Sequence, residues 1–196
     1  MSKRAPGLSW WLLALFATAI GGYGVLMIDA RGAKNSVPGL PWIDEVHFVT
    51  GGLALILGVW GFRRDLLAKR RNLHRRIGKL YMLLVLLSGT AGAAMACFSM
   101  AGMVAHLGFL LLAIAWLVTT FLGWHRIHKL RDVIAHRRWM VRSYALTCAA
   151  ITLRLQLGPL AYALEGFLPA YKIVSWSAWL PNMIFAEWWL RRYPNP

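Results

Sequence analysis

Apolar stretches about as long as a membrane helix recur along this 196-residue chain, and short basic stretches separate them. A helix needs about 20 mostly apolar residues to cross the hydrocarbon core of a bilayer. The chain is 59% hydrophobic and still carries a formal charge of +15. That combination suits a membrane protein whose charges are confined to its loops. The sequence therefore predicts an all-α membrane protein, with residues 1–196 forming a single integral membrane domain.

Six transmembrane helices are predicted, at 8–29, 42–62, 77–99, 103–123, 138–164 and 172–190. The second to fifth helices form a four-helix core over 42–164, and the first and last helices flank it. The first segment follows Lys3 and Arg4, as in a signal peptide, but it lacks a small-residue cleavage site, so we expect a retained helix.

The basic residues indicate the orientation of these helices. If the N-terminus lies in the cytoplasm, 18 of the 22 Lys and Arg residues fall on the cytoplasmic side. The positive-inside rule then places both termini there. Nucleic acid is not expected as a partner, because the basic runs directly abut apolar segments, as topology signals do.

Four histidines, His47, His74, His106 and His136, are spaced about one membrane crossing apart. Successive helices run in opposite directions, so His47 and His106 are predicted at the outer level and His74 and His136 at the inner level. Paired histidines on facing helices are the usual axial ligands of b-type haem in a bundle. The spacing therefore predicts two haem b groups, with these histidines as iron ligands. Both haems would be non-covalent, since no Cys-x-x-Cys-His motif occurs.

Arginines near these levels are candidate partners for the haem propionates. Arg154 lies 18 residues beyond His136, about 27 Å along a helix, which places it towards the outer half of the membrane. A charge there should face a partner rather than lipid. A propionate of the outer haem is one candidate, and the alternatives are Glu165, Glu187, Gln156 and Asn182. Arg75 and Arg137 are candidates at the inner level.

Glycines in the core helices are expected to leave room for the flat porphyrin or to serve ordinary helix packing. They are Gly51, Gly52, Gly58, Gly89, Gly92 and Gly108. The two remaining histidines, His125 and His128, lie in a basic stretch and are interpreted as interfacial residues.

Residues 42–164 resemble the cytochrome b-561 family of transmembrane di-haem electron carriers. The resemblance rests on the histidine spacing and on His74-x-x-x-Gly78, which is similar to the inner-ligand motif of that family. It implies an outer haem on helices two and four and an inner haem on helices three and five. The stretches 47–58, 73–81 and 135–154 also look like a group of bacterial membrane proteins of unassigned function, which implies the bacterial inner membrane. The loops are shorter than in eukaryotic members, and no complete ascorbate-binding motif is matched.

The predicted function is transmembrane electron transfer through two b haems, by an oxidoreductase of the cytochrome b-561 type. The donor would lie on the cytoplasmic side, as a quinol, another reductant or a redox partner protein, and the acceptor on the outer side. Membrane lipid is an expected partner, and a homodimer is compatible with the sequence. Two alternatives stay open. One is a haem-bearing anchor subunit or haem-modifying enzyme, and the other is a haem-free transporter or structural membrane protein.

Overall fold

A computed structural model describes residues 7–26, 37–63 and 69–193 of the chain. Within these ranges the regular structure is entirely helical, as predicted. The helices are α1 (Leu8–Leu26), α2 (Ile43–Gly61), α3 (Arg71–Cys97), α4 (Met103–His128), α5 (Val133–Thr147), α6 (Ala149–Ala163), α7 (Phe167–Ser177) and α8 (Leu180–Arg192).

Two core helices begin earlier than the apolar pattern predicts. α3 begins at Arg71 instead of 77, and α5 begins at Val133 instead of 138. Arginine and lysine have good helix propensity, so a basic stretch continues a helix beyond its apolar part. At α5 the Asp132 carboxylate also caps the helix, accepting a hydrogen bond from the Ala135 backbone N–H at 2.9 Å.

The last two predicted helices are each divided. The predicted 138–164 helix is interrupted at Cys148, between α5 and α6. The predicted 172–190 helix begins earlier, at Phe167, and breaks at Ala178 and Trp179 before α8. Pro181 lies in the first turn of α8, where its missing N–H costs no helical hydrogen bond. Counting each divided pair as one, the described segments correspond to the six predicted helices.

Three of the described helices, α2, α3 and α4, are long and apolar enough to cross a membrane. Many large apolar side chains also face outwards from the bundle, among them Leu83, Leu86, Ile114 and Phe121. An outward apolar surface on long helices is what lipid requires. These features support a membrane protein with several spans.

The core of the molecule is a closed ring of four helices. α2 packs against α3, α3 against α4, and α4 against α5, while α5 closes the ring against α2. α2 and α4 therefore lie diagonally opposite each other, as do α3 and α5. Outside the ring, α1 packs on α2, α7 on α4 and α6, and α8 on α5. Short connections make successive core helices antiparallel, so α2 and α4 begin at one end of the bundle and α3 and α5 at the other.

Candidate functional site

Each of the four spaced histidines lies within the first five residues of a core helix. His47 and His106 begin α2 and α4, so they lie at one end of the bundle, which we call the His47 end. His74 and His136 begin α3 and α5 and lie at the other end, the His74 end. All four side chains are half-buried. Each end thus carries one histidine on each of two diagonal helices.

Two of these imidazoles are held in the same tautomer by a backbone carbonyl. His47 Nδ1 lies 2.9 Å from the Ser88 carbonyl oxygen, and His136 Nδ1 lies 2.8 Å from that of Gly123. A carbonyl oxygen only accepts, so Nδ1 carries the proton in both rings. The lone pair is then on Nε2, the nitrogen left for a metal. Histidines that bind metals usually have their other nitrogen fixed in this way.

The other two histidines are held differently. His106 donates from Nε2 to the Ser99 carbonyl oxygen at 2.6 Å, within the turn that precedes α4. Its lone pair is therefore on Nδ1. His74 Nδ1 is buried and has no hydrogen-bond partner among the described residues. A buried polar atom in that position calls for a ligand or a water molecule.

The two histidines of the His74 end lie within electrostatic range of one another. His74 and His136 interact across the bundle, and Arg137 acts on both rings. At the other end, His47 lies within electrostatic range of Arg154 and Asp44. The two predicted levels are thus each associated with one of the predicted arginines.

Arg154 is half-buried on α6 and donates to the Ala150 carbonyl oxygen at 2.9 Å. Among its predicted alternative partners, Glu187 pairs instead with Arg142 on α5. Gln156 bonds to Ser177, and Asn182 bonds to Ala145 and Thr152. The position of Arg154 within electrostatic range of His47 is compatible with a carboxylate ligand at that end.

At the His74 end, Arg137 and Arg75 are both exposed. Only Arg137 has a described interaction with the histidine pair.

A buried polar network fills the centre of the ring, and its cross-helix pairing was not predicted from the sequence. The Tyr81 hydroxyl lies 2.8 Å from both Ser143 Oγ and Thr147 Oγ1, and Trp116 Nε1 donates to Thr147 Oγ1 at 2.9 Å. Thr120 adds a contact of 2.7 Å to Ser143 Oγ. Hydroxyl residues inside apolar segments were the available signal, since polar groups at membrane depth usually face the bundle interior.

The six core glycines are in close contact with neighbours. If a β-carbon were added at each glycine, its nearest neighbour would be an atom of one of the following residues: Ser88 at Gly51, Gly21 at Gly52, Tyr144 at Gly58, Leu117 at Gly89, His47 at Gly92 and Ser175 at Gly108. These glycines therefore serve close packing of helices and leave no open slot of their own. Gly78 differs, because a β-carbon there would have no described atom within 4 Å.

Residues 45–190 match the protein family described as "Predicted membrane protein (DUF2306)". The chain belongs to this family. The match includes all four spaced histidines and Arg154. No curated protein and no solved structure matches the chain. Membership in the family supports the coarser part of the resemblance seen in the sequence, a membrane protein of unassigned function.

The histidine ring nitrogens that make no hydrogen bond are candidate ligands for a metal ion or for the iron of a haem. The described residues contain no group of three or more His, Cys, Asp and Glu side chains able to hold a metal ion. Zinc sites use at least three protein ligands, whereas haem iron takes only two axial ones. The free Nε2 atoms of His47 and His136 fit that need. His106 would bind iron through Nε2 only after release of the Ser99 carbonyl.

Proposed function

We propose that this protein transfers electrons across the bacterial inner membrane through two b-type haems. His47 with His106 would hold the outer haem, and His74 with His136 the inner haem. The observation that carries the proposal is the tautomer of His47 and His136, because each is fixed by a backbone carbonyl with Nε2 left for iron. Haem, when bound, supplies reversible one-electron chemistry.

The chain's own residues would set the position and charge of each group. At the inner level, Arg137 lies within electrostatic range of both histidines and would pair with a propionate. At the outer level, Arg154 would do the same beside His47. Arg75 is adjacent to His74 in the chain, and its exposure suits a contact with the inner propionates at the membrane surface.

The proposed orientation of the bundle rests on the charge distribution. The His74 end carries the basic starts of α3 and α5 and the basic end of α4, so the positive-inside rule assigns it to the cytoplasm. Electrons would pass from a cytoplasmic-side donor, a quinol or another reductant, to an acceptor on the outer side. The basic surface at the His74 end would attract an anionic donor, a partner protein or anionic lipid.

A reduced-minus-oxidised absorption spectrum of the purified protein, with haem quantified per chain, tests this proposal. We expect two low-spin b haems per chain. His47→Ala and His106→Ala should each remove the same haem, and His74→Ala and His136→Ala the other. His125→Ala and His128→Ala are the matched controls and should retain both haems, since these rings lie against Phe121 and Trp124 of their own helix.

Two observations favour a haem-free alternative. His106 is already hydrogen-bonded to Ser99, and neighbours occupy the space at the six core glycines. In that case the imidazoles would serve as hydrogen-bonding links between structural elements of a transporter or structural membrane protein. A colourless protein after expression with ample haem would overturn the electron-transfer proposal in favour of this one.

A further inference from the structure

Two reciprocal hydrogen bonds join α2 and α3 at the His47 end. His47 donates from Nδ1 to the Ser88 carbonyl oxygen at 2.9 Å, and Ser88 Oγ donates to the His47 carbonyl oxygen, also at 2.9 Å. Ser88 Oγ lies 3.2 Å from His47 Nδ1 as well. Ser88 is fully buried, so these polar groups form their hydrogen bonds with each other and not with water.

Two glycines allow this approach, and they are placed symmetrically. A β-carbon on Gly92 would lie 2.8 Å from His47 Cε1, and one on Gly51 would lie 2.8 Å from Ser88 Oγ. Gly51 follows His47 by four residues, and Gly92 follows Ser88 by four, so each glycine shares a helix face with its partner residue. Each polar side chain thus lies against the glycine of the opposite helix.

We infer that Ser88 is a positioning residue for the outer haem ligand, acting together with Gly51 and Gly92 to fix the ring of His47. This inference rests on the proposed function. The main-chain carbonyl of residue 88 sets the tautomer, and the Ser88 hydroxyl ties the His47 backbone to the same point. Gly92 provides the space in which the ring lies, and Gly51 provides the space for the hydroxyl. The ring therefore has little freedom to turn, which is what an axial ligand needs.

The inference is tested by spectroscopy on Ser88→Ala and Gly92→Ala in the full-length, haem-loaded protein. Loss of an outer-shell partner costs about 10- to 100-fold in metal affinity. Because the carbonyl remains in Ser88→Ala, we expect about a ten-fold faster loss of one haem. We also expect a changed electron paramagnetic resonance signal and midpoint potential for that haem. It should be the haem that His47→Ala removes. Gly92→Ala should alter the same signal by displacing the ring.

Thr90→Ala is the matched control, because Thr90 lies on the same helix but is exposed and bonds only to carbonyls of its own helix. If Ser88→Ala and Gly92→Ala both keep two haems with unchanged signals, as Thr90→Ala should, the inference is overturned and the proposed function stands. Loss of both haems in Ser88→Ala would show that Ser88 stabilises the whole protein and does not position His47 in particular, which would also overturn the inference. A wild-type protein without haem would overturn the inference and the proposed function together.

Discussion

Trp116 and Tyr81, on neighbouring helices, hydrogen-bond to the same hydroxyl group, that of Thr147. The Trp116 Nε1–H donates to Thr147 Oγ1 at 2.9 Å, and the Tyr81 hydroxyl lies 2.8 Å from the same oxygen. Thr147 in turn donates to the Ser143 carbonyl oxygen at 3.0 Å. Tyr81 is seven residues beyond His74, about 10 Å along α3, so the network lies between the two histidine levels. It links three helices of the ring at the centre of the bundle.

Thr147→Val should destabilise the protein by about 1–3 kcal/mol, because it leaves the buried Trp116 N–H without its acceptor and removes one of the two partners of the Tyr81 hydroxyl. The change keeps the size of the side chain, so lost packing contributes little. Unfolding by a denaturing detergent, followed by circular dichroism, measures the effect. Thr90→Val is the control, since Thr90 is exposed on α3 and bonds only within its own helix. Equal stability of the two variants would contradict this prediction.

Gly58→Ala should cost about 1–3 kcal/mol through overpacking. A β-carbon at Gly58 would lie 2.2 Å from Tyr144 Cε2, and the Tyr144 ring cannot easily withdraw because its hydroxyl donates to the Leu55 carbonyl oxygen at 3.0 Å. At Gly61 on the same helix a β-carbon would meet no described atom within 4 Å. Gly61→Ala should therefore leave stability unchanged or raise it by up to about 1 kcal/mol. Thermal unfolding of both variants compares them directly, and an equal loss in both would show that the Tyr144 contact is unimportant.

If the proposed haems are bound, Gly78→Leu should remove the haem assigned to His74 and His136 and spare the haem assigned to His47 and His106. Gly78 follows His74 by four residues, so it shares the same face of α3, and the space at its β-carbon position is open. A leucine would fill that space beside the inner ligand. Haem quantification with the spectrum of His74→Ala as reference identifies which haem is lost. Gly158→Leu on α6, also at an open position, is the control and should retain both haems. If Gly78→Leu also retains both haems, Gly78 does not border the haem assigned to His74.

Breaking the ion pair between Arg142 and Glu187 should loosen α8 from α5. Arg142 binds Glu187 through two contacts, at 2.5 and 3.0 Å, and its guanidinium lies 4.7 Å from the centre of the Trp139 ring. The Glu187 side chain is 37% exposed, so each single alanine variant should lose only about 1–2 kcal/mol. The double variant should lose less than the sum of the two. Additive losses in a double-mutant cycle would show that the charges are not coupled.

Reporter fusions should place the two ends of the bundle on opposite sides of the membrane. A phosphatase reporter inserted at Met100, in the turn between α3 and α4, is expected to be active outside the cytoplasm. The same reporter joined after Arg192 is expected to be inactive, because α8 ends among the basic residues of the His74 end. The reverse pattern would contradict the orientation given by the positive-inside rule.

The helices and the ends that carry the histidines were predictable from the sequence. The length of the apolar segments defines a membrane helix, and antiparallel succession then assigns His47 and His106 to one end without knowledge of packing. The start of α5 was harder to predict from the sequence, because the Asp132 cap lies before a basic stretch that carries no apolar signal. Pro181 was a readable signal for the break before α8, but it fell inside an otherwise apolar segment.

Pairings between helices could not be predicted. The sequence shows Ser88 and His47 as separate polar residues, and only the register between α2 and α3 makes them partners. That register depends on contacts such as Gly92 against the His47 ring, which appear once the helices are side by side. Similarly, nothing near Tyr144 in the sequence indicates that its hydroxyl reaches the Leu55 carbonyl on α2.

The break between α7 and α8 has a consequence for how the protein enters the membrane. At 1.5 Å per residue, the 11 residues of α7 and the 13 of α8 measure about 16 and 20 Å, so neither crosses a bilayer of about 30 Å alone. At the break the Ala178 carbonyl receives hydrogen bonds from Thr152 and Asn182. Thr152 belongs to α6, so part of this compensation exists only after α6 is in place. The C-terminal pair should therefore be retained by the insertion machinery until α6 is available, and an internal deletion that removes α6 would leave α7 and α8 without a stable place in lipid.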